Sequence, residues 1–85
     1  MSDFSEEERA RRANNLLQDE LFVEAFDLLK QDLQSRWENS GSTEVEARES
    51  IWLAMRLLDR IHAHISSIVE TGRMADILEK QHPFI

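Results

Sequence analysis

No cysteine occurs in the 85 residues, which removes disulfides and thiolate metal sites together and leaves the redox compartment unread. Two glycines and one proline are too few for the turns of a sheet-rich protein, and with 41% hydrophobic and 32% charged residues the fold class reads as all-α. Long apolar runs are missing as well. The longest, Ile-Trp-Leu-Ala-Met at 51–55, is far short of the ~20 residues that cross a bilayer, so no membrane partner is expected. The amino terminus, Met-Ser-Asp-Phe-Ser-Glu-Glu-Glu, is acidic where a secretion signal would be basic and then apolar, and a cytoplasmic location follows as the expectation. Positive charge is scarce: ten Lys and Arg face seventeen Asp and Glu, and the net charge of -7 repels polyanions on average. There is no glycine-rich phosphate loop, no Ser-His-Asp set and no placed carboxylate pair. An enzyme is not expected, nor a cofactor.

What the chain does contain is a pair of amphipathic stretches, 19–38 and 44–71, joined by the hinge Asn39-Ser40-Gly41-Ser42. Ahead of them, Ser5 followed by Glu6, Glu7 and Glu8 reads as a capping box. The short helix it starts carries Arg9, Arg11 and Arg12 and almost no apolar face before Leu16 and Leu17, so nothing in its own sequence buries it. Asp19 is placed as N-cap of the first long helix. At ~100° per residue, Leu17, Leu21, Ala25 and Leu28 share one facet, and Phe22, Phe26, Leu29, Leu33 and Trp37 the next, an arc of roughly 200°. Thr43 and Glu46 form a second capping box. The second helix carries Ile51, Ala54, Met55, Leu58, Ile61, Ile65, Ile68 and Val69, widened by Leu53 and Leu57 to a similar arc. Gly72 reads as a terminator, and 73–81 as a short helix bearing Met74, Ile77 and Leu78 before Pro83. The organisation expected is a charged arm or short helix at 1–18, an antiparallel helical hairpin at 19–71, and a short helix and tail at 72–85.

One neighbouring helix covers only about half of such an arc. The hairpin is therefore expected to assemble into an oligomeric bundle or ring, with Phe22, Phe26, Leu29, Leu33 and Trp37 against Ile61, Ile65 and Ile68 of another copy. Asp32 and Arg36, an i, i+4 pair inside the apolar arc, are candidates for fixing register between subunits. Trp52 falls on the polar side beside Arg56, a pairing enriched where partners dock. The stripe of Glu20, Glu24, Asp27, Gln31, Gln34 and Glu38 reads first as a solvated face, and second as a dock for a basic protein or a mimic of nucleic-acid charge. His62 and His64, two apart, point about 200° away from each other and cannot chelate one ion. No metal site is expected from them; His82 in the tail adds nothing.

The run Leu-Leu-Gln-Asp-Glu-Leu-Phe-Val-Glu-Ala-Phe at 16–26, Arg-Trp-Glu-Asn-Ser at 36–40 and Ser-Ile-Val-Glu-Thr-Gly-Arg-Met-Ala at 67–75 resembles small helical proteins of tailed phages and gene-transfer elements, over about 60 residues. Among them, small terminase subunits form rings from helical hairpins and hand DNA to a packaging motor. The resemblance implies genome packaging or head assembly, with DNA or a packaging motor subunit as partner. No helix-turn-helix precedes the hairpin here, so contact with DNA falls to Arg9, Arg11 and Arg12. The rival reading is an acidic inhibitor or adaptor of a host factor, working through Glu20, Glu24, Asp27 and Glu38 together with Trp52.

Overall fold

The computed structural model describes residues 5–80. It is all-helical over that range: α1 is Glu6–Gln18, α2 Glu20–Asn39 and α3 Val45–Lys80. His82 and Pro83 lie outside the described residues.

The ends of α1 and α2 have local causes. The Glu8 backbone N–H donates to the Ser5 hydroxyl at 3.1 Å, and Glu6, Glu7 and Glu8 sit at the positive end of the α1 dipole. Asp19 is both the C-cap of α1 and the N-cap of α2. Its extended backbone interrupts the helix for a single residue, and its carboxylate accepts from the Phe22 N–H at 3.0 Å. α2 stops at Ser40, whose hydroxyl donates to the Trp37 carbonyl at 2.6 Å and accepts from Arg48 Nη1 at 2.9 Å. The turn closes with the Glu44 N–H donating to the Gly41 carbonyl at 2.9 Å. α3 then starts at Val45, one residue later than a Thr43 cap would place it.

α3 departs from expectation at its far end. It runs unbroken for 36 residues through Gly72, where the sequence suggested a stop. A glycine terminator needs a positive φ, and among the described residues no glycine has one. The hydroxyls of Ser67 and Thr71, which could compete with the helix, instead donate to the carbonyls of His64 and Ser67 at 2.6 and 2.9 Å, one helical turn back.

The second departure is α1. It is packed along the distal half of α3, more closely than α2 packs along the proximal half. Small residues make the difference. Ala13 and Gly72 are the buried residues among those described, and Ala10 lies against Gly72 so tightly that a Cβ on the glycine would stand 2.8 Å from the Glu6 carbonyl oxygen and 3.5 Å from the Ala10 Cα. α2 is held further off by Phe22, Phe26 and Trp37. α1 and α2 thus form one arm, broken at Asp19, that runs antiparallel to α3 in a rod with extents of 65 × 24 × 23 Å.

Candidate interaction surface

The seam between α2 and α3 is lined by half-buried Phe22, Phe26, Leu33 and Trp37 on one side and Ile51, Ala54, Met55 and Leu58 on the other. The Phe22 and Phe26 rings are 4.6 Å apart, and Phe26 meets His62 edge-on at 6.1 Å. The Arg48 guanidinium lies 3.8 Å above the Trp37 ring, a partly desolvated cation–π contact that pins the hairpin next to its turn. These aromatic side chains, expected against another copy, are used inside the chain. Ile65 and Ile68 are likewise half-buried and border α1 beside Arg9, Arg12, Ala13 and Leu16. Leu29 and Ile61 remain exposed, at 49% and 41%.

A rod two helices thick leaves much apolar surface in water. Thirteen large apolar side chains among the described residues keep 41% or more of their surface exposed, Leu21, Leu28, Leu53 and Leu57 among them. The accessible area of 7001 Å² compares with about 5200 Å² for a compact monomer of this mass. The excess, roughly 1800 Å², is of the size that a standard protein–protein interface removes from two partners together.

The polar candidates are placed as follows. Arg36 donates to Asp32 at 2.9 Å, with both side chains more than half exposed; as it stands the pair contributes only a few tenths of a kcal/mol. Arg56 sits 5.8 Å from the exposed Trp52 ring. Arg11 and Arg12 both reach Glu8 within α1, Arg12 at 3.7 Å, with side chains 62% and 60% exposed. The hydrogen bond from Arg11 holds the Glu8 carboxyl below the usual carboxylate range. Glu7 behaves oppositely. A hydrogen bond shared with Glu79, repulsion from that carboxylate, slight desolvation and the charge of Asp76 push it up, because the start of α1 and the end of α3 bring their acids together. Glu20, Glu24, Asp27 and Glu38 lie exposed along α2. Among the described residues no three His, Asp or Glu side chains gather closely enough to hold a metal ion, and no helix is long and apolar enough to cross a membrane.

The α1–α3 crossing at Ala10, Ala13 and Gly72 is the feature the sequence reading missed. Its only sequence signal is an i, i+3 pair of alanines on an otherwise charged helix, which matters only if a glycine faces it. Compared with protein-family models, with curated proteins and with solved structures, the chain matches none.

Proposed function

We propose that this chain is a non-enzymatic assembly protein that works by associating with copies of itself, in the manner of the small helical proteins of phage packaging and head assembly. The observation that carries the reading is the apolar surplus: a hairpin whose seam is filled from within still leaves Leu21, Leu28, Leu53 and Leu57 at 53 to 71% exposure. One layer of helices has no opposite layer to bury that surface against, and self-association supplies it. The phage setting, and with it the cytoplasm of a host cell, rests on the resemblance of the segments at 16–26, 36–40 and 67–75. In this reading DNA or a motor subunit meets the exposed guanidinium groups of Arg9, Arg11 and Arg12.

Light scattering after size exclusion tests the first step, with a closed multi-subunit particle expected and a concentration-independent monomer refuting it. Salt-dependent DNA binding that disappears when Arg9, Arg11 and Arg12 become alanine tests the second. The exposed acids of α2 support one rival. Gln18, Glu20, Glu24 and Asp27 surround Val23 and Leu28 on a shallow surface, suited to a basic protein partner. No DNA binding together with tight capture of a basic protein would favour that adaptor reading.

A further inference from the structure

The rod has two unlike sides, and its surface grooves show which helix flanks share each one. Arg9, Arg12 and Leu16 of α1 line a groove with Ile65 and Ile68 of α3. On the other side, Val23, Asp27 and Lys30 of α2 line a groove with His62. At ~100° per residue, Leu21, Ala25 and Leu29 occupy the flank of α2 away from Val23 and Lys30. By the same step Leu53, Leu57 and Ile61 occupy the flank of α3 that Ile68 shares, away from His62. The two rows therefore lie on one side of the hairpin, next to each other.

We propose that a second copy of the chain docks on this side, stacking its own Leu21-Ala25-Leu29 and Leu53-Leu57-Ile61 rows on these to close a four-helix core. The inference rests on the self-association reading and says which face performs it. Area favours a copy as occupant: a side 24 Å wide on a 65 Å rod is more than enough for the ~800 Å² that each partner of a stable pair contributes. Charge favours it too. The chain carries -7 overall, yet the acids of α2 at Glu20, Glu24 and Asp27 fall on its outer back and on the flank opposite the docking rows. On the docking side, Asp32 and Arg36 of α2 already compensate each other at 2.9 Å, Arg60 and His64 lie beside Leu57 and Ile61 of α3, and the nearby charges of α1 are Arg9 and Arg12. Two copies meeting here bring no surplus of acid together, as they would across the back of α2. Covered by a partner, the Asp32–Arg36 pair becomes a polar marker in an apolar strip, the arrangement that selects one register over others.

The test uses the full chain. Sedimentation equilibrium on wild type, Leu29→Lys, Leu57→Lys and Val23→Lys should give multiples of 10.0 kDa for the first and last. The two leucine variants should dissociate roughly 100-fold or more readily, since each would bury an unpaired ammonium. Far-UV circular dichroism should keep its helical signal throughout, because all three positions are at least 41% exposed within one chain. If the leucine variants lose their helix, Leu57→Cys in this cysteine-free chain replaces them: a short bis-maleimide should link copies through position 57 and not through Val23→Cys. Leucine variants that assemble like wild type, or cross-linking through 23 instead of 57, would overturn the face while leaving self-association standing. A wild type that stays at 10.0 kDa at every concentration would remove both.

Discussion

Gly72→Ala offers the sharpest test of how α1 is held. At an open position inside a helix this change stabilises by about 0.8 to 1.0 kcal/mol, since alanine loses less backbone entropy than glycine. Gly72 is not open. Its added Cβ would overlap the Ala10 Cβ and stand 2.8 Å from the Glu6 carbonyl oxygen, where carbon contacts want about 3.5 to 4.0 Å. Neither neighbour is the end of a flexible side chain, so relief requires α1 to move off α3 by on the order of 1 Å, against a close-packed seam. Overpacking of this kind costs about 1 to 3 kcal/mol, which outweighs the propensity gain, and a net loss of about 1 kcal/mol is expected. Urea unfolding at fixed protein concentration, followed by circular dichroism, measures it. The slope should also fall, because a native state with α1 lifted has less surface left to expose. Adding Ala10→Gly removes one of the two overlaps, so the double-mutant cycle should show a favourable coupling on the order of 1 kcal/mol. A gain of about 1 kcal/mol with an unchanged slope would mean that the helices do not meet at Gly72, and the reasoning about α1 would be wrong.

Other expectations follow from the same contacts. Asp19→Ala should lose about 1 kcal/mol in thermal or chemical unfolding, since the carboxylate satisfies the Phe22 N–H; Asp19→Asn should lose far less, and equal losses would exclude capping as the cause. Arg48→Ala removes both the cation over Trp37 and the donor to Ser40, so about 1 to 2 kcal/mol should go, with a shift in Trp37 fluorescence read in a Trp52→Phe background. The pH response has two opposite parts. Glu7 is raised, so its contribution is complete below the ordinary carboxylate range and is lost as pH climbs through its folded pKa. Glu8 is lowered, so its contribution is present above that range and is lost as pH falls through its folded pKa. Glu7→Gln should therefore raise the unfolding midpoint at pH 7 and not near pH 4, and an equal rise at both would remove Glu79 as the reason.

Local chemistry was legible residue by residue. Ser5 and Asp19 cap because a short side-chain oxygen next to a helical pattern has only a few backbone donors in reach, and the all-helical content follows from apolar spacing near 3.6 with almost no glycine or proline to interrupt it. The same locality misled at Gly72. Read along the chain, it is a terminator; set across from Ala10, it is the one residue small enough to let two helices touch, and that depends on a residue 62 positions away. The arm carrying Arg9, Arg11 and Arg12 looked unsupported for the same reason, because its burial comes from the distal half of α3 and not from an apolar stripe of its own. A helical wheel could count the apolar residues of α2 but could not divide them. Packing in three dimensions decided that Phe22, Phe26 and Trp37 close the seam while Leu21, Leu53 and Leu57 face outward, since side-chain period sets the angle around a helix and only the neighbouring helix sets which angle is inside.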